Sequence, residues 1–525
     1  MRYRRFLVLV ITVVLLITAI PVYAEKHNFT IKDGVLTAYS GIGGKVVIPD
    51  EVTKIGEYAF KDNDTITKII IPDSVTSISD DAFDDCVALT EVVLPNGLKK
   101  LGSHVFSGCE SLTDVVIPDS VTELGFNTFA GCTSLESIEI PNGVVAINRY
   151  MFAGCSSLKE ITVKEGNKKL TSVDGILFDK EMKNIIFYPA GKTESSYTLP
   201  DSVESIDSHA ISCDNLRELT LSSNLSYIDP IGIVCYNLEV LNIPKGVIYI
   251  DHTTLRNCPK LSEINVEKGN SSLASEDGIL YSADMKVLEC YPTAAQGSVT
   301  VRDGVEVISN GAFQKCNKIT EIILPDGVTT IKANAFANCT SLSSVKLPDT
   351  LKSIYDFAFS FCTALKSIYI PDGVERISGF VFSNTSINEF IIPEGVTKLD
   401  HMTLYGTPEN DCVAVIPKSV KVTMQYNVIC SFHTKVYCFA GSGIDEYCKT
   451  WRYPVIYMPE TDINGDADGN GKINLSDVAE ILKFASGKYN SFNIYKSDVN
   501  NDGMVNIEDA LLIMMHIAKW DVKLK

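Results

Sequence analysis

Two twelve-residue segments near the C-terminus carry oxygen-bearing side chains at identical spacings. The first, DADGNGKINLSD, spans 466–477, and the second, DVNNDGMVNIED, spans 498–509. In each segment Asp or Asn stands at positions 1, 3, 5, 9 and 12, and glycine stands at position 6, where such a loop turns sharply. Position 7 supplies only its backbone carbonyl. Hard oxygen donors at this spacing form the ligand set that Ca²⁺ prefers.

The two loops predict two calcium ions. Clusters of Asp, Asn and Gly also form ordinary turns, but two copies in register, 32 residues apart, favour metal binding. A helix is predicted after each loop, over 478–486 and 510–519. The predicted ligands, including the position-7 carbonyls of a lysine and a methionine, are Asp466, Asp468, Asn470, Lys472, Asn474 and Asp477 in the first loop, and Asp498, Asn500, Asp502, Met504, Asn506 and Asp509 in the second.

Most of the chain before these loops is one repeated unit. Proline recurs every 23 residues at 49, 72, 95, 118 and 141, and again at 325, 348 and 371. In LTEVVLP the residues Leu89, Val92 and Leu94 are predicted to point inward, while Glu91 and Val93 point outward. A unit this short cannot bury its apolar face alone, so that stacked neighbours must complete the core. The pattern predicts a solenoid of short parallel strands with convex connections.

The repeat is interrupted twice, near 164–199 and near 267–300. Each interruption predicts an antiparallel hairpin, of 175–178 with 185–188 and of 278–281 with 287–291. We expect an N-terminal cap over 25–45, the solenoid over 46–429, and a C-terminal cap with a short helix and a linker over 430–460. Residues 1–24 combine a basic start, an apolar run and a small residue at 24, which predicts a cleaved signal peptide.

The composition narrows the possible functions. The chain has 525 residues and a formal net charge of −19, which argues against a nucleic-acid partner. No other apolar run is long enough to span a membrane. Of 15 cysteines, ten occupy one repeat position, where we expect buried thiols rather than disulfides. Those ten are Cys86, Cys109, Cys132, Cys155, Cys213, Cys235, Cys258, Cys316, Cys339 and Cys362.

The outward-facing positions of the predicted strands form a second candidate site. Acidic residues recur there beside apolar ones, and acids spread along an open surface favour a binding face over paired catalytic carboxylates. This predicted ligand face consists of Glu91, Val93, Asp114, Val116, Glu321, Ile323, Tyr369, Glu389 and Ile391.

The repeat signature, in which Ala-Phe is followed by cysteine, leucine and a strand ending in Ile-Pro, resembles the BspA-type leucine-rich repeat family of bacterial surface and secreted proteins. The resemblance covers about residues 28–458. It implies a leucine-rich-repeat solenoid and a tendency toward adhesion or protein recognition, and it implies no reaction.

Residues 462–525, with their duplicated EF-hand-like calcium loops and following helices, resemble a type I dockerin. That resemblance implies a small α-helical module that binds a cohesin domain of a cellulosome scaffoldin, and the predicted module spans 461–525. The family's cohesin-contacting positions correspond to Leu475, Ser476, Leu482 and Lys483 in the first copy, and to Ile507, Glu508, Met514 and Met515 in the second. The residues at these positions depart from those of several clostridial members, which leaves the cohesin class open and makes dual-mode binding doubtful.

These observations favour a secreted, non-catalytic, cellulosome-associated protein. Its repeats would bind a protein or a cell-wall ligand, in the context of plant polysaccharide degradation. Two alternatives remain, a polysaccharide-degrading hydrolase and an inhibitor or protector that acts on extracellular peptidases.

Overall fold

The computed structural model describes residues 28–525, except 252, 401–402, 404–411, 422–428, 430–433, 489–490, 520–521, 523 and 525. The predicted signal peptide, residues 1–24, lies outside the described residues. The chain divides into two compact units, residues 1–238 and 239–525. Both are built from short strands in parallel ladders, which confirms the predicted solenoid.

The first unit contains nineteen described strands. They are β1 (Phe29–Lys32), β2 (Val35–Tyr39), β3 (Gly44–Val47), β4 (Lys54–Ile55), β5 (Ile66–Ile70), β6 (Ser77–Ile78), β7 (Glu91–Val93), β8 (Lys100–Leu101), β9 (Asp114–Val115), β10 (Glu123–Leu124), β11 (Ser137–Ile140), β12 (Glu160–Val163), β13 (Leu170–Val173), β14 (Ile176–Asp179), β15 (Asn184–Phe187), β16 (Ser196–Thr198), β17 (Ser205–Ile206), β18 (Glu218–Thr220) and β19 (Tyr227–Ile228).

The second unit contains the remaining described strands and three α-helices. The strands are β20 (Val240–Ile243), β21 (Glu263–Val266), β22 (Leu273–Glu276), β23 (Ile279–Ser282), β24 (Val287–Cys290), β25 (Gln296–Thr300), β26 (Val307–Ile308), β27 (Lys318–Ile323), β28 (Thr330–Ile331), β29 (Ser344–Lys346), β30 (Ser353–Ile354), β31 (Arg376–Ile377), β32 (Glu389–Ile391), β33 (Lys398–Leu399), β34 (Val413–Val415), β35 (Lys435–Cys438) and β36 (Val455–Tyr457). The helices are α1 (Gly443–Trp451), α2 (Leu475–Ala485) and α3 (Ile507–Ile517), and a 3₁₀ turn covers Ile494–Lys496.

Most regular coils contribute one strand to each of two parallel ladders. In the first unit β3, β5, β7 and β9 form one ladder, while β2, β4, β6, β8 and β10 form another on the return leg. In the second ladder β4, β6, β8 and β10 have only two residues each, which is too short to show alternation in the sequence. In β7 the side chain of Val92 is buried while Glu91 and Val93 are exposed, as the alternation predicts.

The core is a set of stacked columns of identical residues. Repeat phenylalanines stack on each other, with ring centroids 4.8 Å apart for Phe60 and Phe83 and 5.4 Å apart for Phe83 and Phe106. All fourteen described cysteines are buried, and none forms a disulfide with another described cysteine. Six thiols donate to the carbonyl oxygen of a phenylalanine 26 residues earlier, at 3.0–3.3 Å: Cys86, Cys109, Cys132, Cys155, Cys339 and Cys362. The thiol column therefore caps backbone oxygens that the turns leave inside the core.

The two interruptions are larger than predicted. β14 and β15 form the predicted antiparallel pair, and β13 adds a third strand on the edge of β14. β22, β23 and β24 repeat this arrangement. The extra strands follow from the Asp-Gly turns at 174–175 and 277–278, whose positive φ angles suit a two-residue hairpin. Among the described residues, no helix is both long and apolar enough to cross a membrane.

Candidate functional site

The first acidic loop brings three carboxylates together. Oxygens of Asp466, Asp468 and Asp477 lie within 4.8 Å of one another, and Asp466 and Asp477 are buried. Asp466 is oriented by the backbone amides of Asn470 and Gly471, each of which donates to it at 3.0 Å. Converging carboxylate oxygens repel one another unless a cation lies between them. The loop thus presents a negatively charged oxygen cluster of the kind that suits a hard divalent cation.

Helix α2 positions the last carboxylate of this loop. The side chain of Asn474 caps the helix by accepting from the amide of Ser476 at 2.9 Å. Asp477 completes a capping box by accepting from the amide of Asn474 at 2.7 Å. The ninth loop residue is therefore also the N-cap. The helix begins at 475 rather than at the predicted 478, and α3 begins at 507 rather than at 510 for the same reason.

The second loop repeats this geometry. Asp498 accepts from the amides of Asp502 at 3.2 Å and Gly503 at 2.9 Å. Asp509 accepts from the amide of Asn506 at 2.9 Å and from that of Val499 at 3.0 Å. Burial raises the pKa of Asp498 to about 6 and also raises the pKa of Asp509. A bound cation would offset this cost of burying the charged carboxylates.

The side chains at the predicted cohesin-contacting positions largely face solvent. Leu475 and Ile507, the matched tenth positions, are each 67% exposed. Leu482 and Met514 are exposed as well, so Met514 is not part of the helix core. The other positions, Ser476, Lys483 and Glu508, are exposed, and Met515 is half-buried.

The helical module, which consists of the two acidic loops with helices α2 and α3, packs on the outer face of the last four-stranded sheet, β32-β34-β35-β36. Tyr437 on β35 makes edge-to-face contacts with Phe484 and Phe492, with ring centroids 6.3 Å apart in both pairs. The hydroxyl of Tyr495 donates to the carbonyl of Ile392 at 2.7 Å. Phe439 stacks on Tyr495. The predicted linker therefore does not hold the two parts of this unit away from each other.

The sequence carries a signal for this packing surface in its last strands, which the repeat period alone does not indicate. In regular coils, as in β7, exposed positions alternate with buried ones, but β34 reads VAV and is buried throughout. In β35, Val436, Tyr437 and Cys438 are all buried. A strand that is apolar on both faces is covered on both faces. The loss of alternation in these last strands thus marks the surface on which another element packs.

Because of this packing, one end of the predicted ligand face is not the open surface that we expected. Tyr369, Glu389 and Ile391 were expected on an open surface, but all three are half-buried beside the helical module. A Cβ atom on Gly503 would lie 1.9 Å from Cδ2 of Tyr369, so the second loop lies directly on this ring. Among the described residues, Oε1 of Glu389 has no hydrogen-bond partner, and burial raises the pKa of this carboxyl to about 7.

The part of the predicted face that lies in the first unit is more open. In the first unit Glu91 and Asp114 lie opposite each other on β7 and β9, and Val93 and Val116 are exposed. These four residues line an open depression of about 530 Å³. In the second unit Glu321 and Ile323 on β27 are half-buried, and Glu321 accepts from the hydroxyl of Ser298 at 2.7 Å.

Comparisons with known proteins agree with these features. The family model for the BspA type leucine rich repeat region matches residues 53–183, 180–277 and 289–409. The model for the dockerin type I domain matches residues 464–518. No curated protein matches the chain.

Several solved bacterial structures are similar to this chain. A leucine-rich repeat protein from Eubacterium ventriosum is 26% identical, covering 68% of this chain and 91% of its own, with a TM-score of 0.46. A leucine rich cell surface protein from Faecalibacterium prausnitzii is 23% identical, covering 82% of this chain and 94% of its own, with a TM-score of 0.35. The pneumococcal vaccine antigen PcpA is 18% identical over 83% of this chain and 98% of its own, with a TM-score of 0.40.

Proposed function

The chain belongs to the BspA-type leucine-rich repeat family and carries a C-terminal type I dockerin domain, and from this premise we propose that it is a secreted, non-catalytic component of a cellulosome-type assembly. A dockerin implies a cohesin partner, and leucine-rich repeats imply protein binding. In this proposal the dockerin attaches the chain to a scaffoldin, and the repeats recognise a protein or a cell-wall ligand. Export would follow from the predicted signal peptide, residues 1–24.

The observation that carries the proposal is the duplicated acidic loop. Three carboxylates of the first loop converge within 4.8 Å, and the second loop has the same capping box and the same backbone donors. Type I dockerins are calcium-binding modules, and we propose one Ca²⁺ in each loop. Side-chain oxygens would come from positions 1, 3, 5, 9 and 12, and a carbonyl would come from Lys472 or Met504.

We place the ligand surface of the repeats on the open part of the predicted face. The depression lined by Glu91, Val93, Asp114 and Val116 combines exposed apolar side chains with carboxylates, as protein-binding surfaces commonly do. For the domain division we propose the cap over 25–45, the solenoid over 46–429, the C-terminal cap and linker over 430–460, and the dockerin over 461–525. A non-catalytic role fits the two family models, which match 53–277, 289–409 and 464–518 and neither of which describes a catalytic domain.

The test is capture of the full chain on immobilised type I cohesin domains. We expect retention in CaCl₂ and release by EGTA, because chelation removes the ions that order both loops. The same preparation is incubated with plant cell-wall polysaccharide. Binding without release of sugar supports a recognition surface, whereas release of soluble sugar would favour the hydrolase alternative. Retention by a cohesin that survives EGTA would contradict the calcium-dependent role.

A further inference from the structure

The duplication gives the dockerin two equivalent sets of surface positions. Leu475 begins helix α2 and Ile507 begins helix α3, at the same loop position and with the same 67% exposure. Leu482 and Met514 lie seven residues further on, and both are exposed. Judged by exposure alone, either copy could present its set to a partner.

The surroundings of the two sets differ. Ile507 and Glu508 line a groove of about 810 Å³ whose opposite wall is the outer face of the repeats. Residues that form the repeat wall include Ser344, Lys366 and Asn388. From the first copy the groove includes only residues at and beyond the end of α2 (Phe484, Ala485 and Gly487), and Leu475 and Ser476 are not among its lining residues.

The groove is closed at its base by direct packing. The second loop lies on Tyr369 through Gly503, and the segment before it is bound through the hydrogen bond from Tyr495 to the carbonyl of Ile392. The aromatic cluster around Tyr437 anchors the end of α2. These contacts hold the second loop, and with it Ile507 and Glu508 at the start of α3, beside the repeats.

A side chain that water reaches is not always one that a folded domain can reach. A specific protein–protein interface covers about 800 Å² on each partner, far more than the end of one helix. A domain that contacted Ile507 and its neighbours would have to fit between the dockerin and the repeat wall. Leu475 does not line this groove, so a domain that contacted it would not have to enter the groove.

We propose that the repeats mask the second-copy surface, and that the chain presents only the first-copy surface, Leu475, Ser476, Leu482 and Lys483, to its cohesin. This inference rests on the proposed cohesin-binding function and adds to it a single orientation of the chain on its partner.

The masking can be measured without a cohesin by cysteine labelling of the full chain. Leu475→Cys and Ile507→Cys place a thiol at matched, equally exposed positions, and the wild-type chain with its 15 cysteines gives the background. Each variant, loaded with calcium, reacts with N-ethylmaleimide or with a maleimide attached to a folded protein domain. The rates are followed by mass spectrometry.

We expect the small reagent to modify both variants at similar rates. The domain-sized reagent should modify the 507 variant about tenfold more slowly than the 475 variant, a difference of about 1.4 kcal/mol. Equal rates with the domain-sized reagent would overturn the proposal, and so would poor reaction of either variant with the small one.

The outcome separates this inference from the proposed function. Asymmetric labelling in a chain that no type I cohesin retains would leave the masking intact and overturn the cohesin role. Symmetric labelling in a chain that a cohesin does retain would overturn the masking alone.

Discussion

Gly471 and Gly503 occupy the sixth position of their loops with nearly the same backbone angle, φ of +83° and +82°, but alanine should have a different cost at each. A Cβ atom on Gly471 would meet no atom within 4 Å. On Gly503 it would lie 1.9 Å from Cδ2 and 2.6 Å from Cγ of Tyr369. The two glycines are therefore a matched pair that differs only in contact with the repeats.

The expected magnitudes follow from two free-energy costs: backbone strain, which both variants share, and the contact with Tyr369, which only Gly503→Ala makes. A left-handed backbone costs an alanine about 1–2 kcal/mol relative to glycine, and this cost is common to both variants. Forcing an atom into a packed contact typically costs a further 1–3 kcal/mol or so. Because about 1.4 kcal/mol is tenfold in affinity, Gly503→Ala should weaken calcium binding to its own loop about tenfold more than Gly471→Ala weakens binding to the other.

The assay is calorimetric calcium titration of the full chain, combined with thermal unfolding. A double-mutant cycle isolates the contact, since Tyr369→Ala removes the ring that the new methyl group meets. In that background Gly503→Ala should cost no more than Gly471→Ala does in the wild-type chain. Equal costs of the two glycine variants in the wild-type chain would refute the packing of the second loop on Tyr369.

Three further outcomes are expected. Asp466→Ala should abolish one of the two calcium-binding events in a titration, whereas Lys472→Ala in the same loop should keep both, because only its carbonyl is a predicted ligand. Phe336→Ala, in the buried stack, should lower the free energy of unfolding by about 3–5 kcal/mol. The same substitution at the partly exposed Phe357 should lower it clearly less, and denaturant unfolding measures both variants. Burial raises the pKa of Glu389 to about 7 from an ordinary value of 4.5, so the folded chain retains a proton that the unfolded chain releases, and stability should fall as the pH rises from 4.5 to about 7. Glu389→Gln should remove that part of the pH dependence in calcium-saturated thermal unfolding, and an unchanged pH profile would contradict the burial of this carboxyl.

The features that repeat along the chain could be predicted from the sequence. A 23-residue period and alternation in residues such as Val92 and Val93 define stacked strands, because each coil contacts only its neighbours. The ten-cysteine column and the twelve-residue loops were visible for the same reason. The starts of α2 and α3 were predicted three residues too late, since Asn474 and Asn506 serve both as loop residues and as helix caps.

Contacts between segments distant in sequence could not be predicted in this way. Gly503 lies on Tyr369, and Tyr495 bonds to the carbonyl of Ile392, but no period links these positions. The apolar run of β34 indicated a covered surface without identifying its cover. The missed edge strands of the hairpins had a local signal, the Asp-Gly turn at 174–175.

The most direct test of the whole account is calorimetric titration of the calcium-loaded full chain with a type I cohesin that retains it. Leu475→Asp and Ile507→Asp are the matched variants, and EGTA-treated chain is the control. We predict binding that EGTA abolishes, that Leu475→Asp weakens strongly and that Ile507→Asp leaves nearly unchanged. Binding of equal strength after chelation would contradict the account.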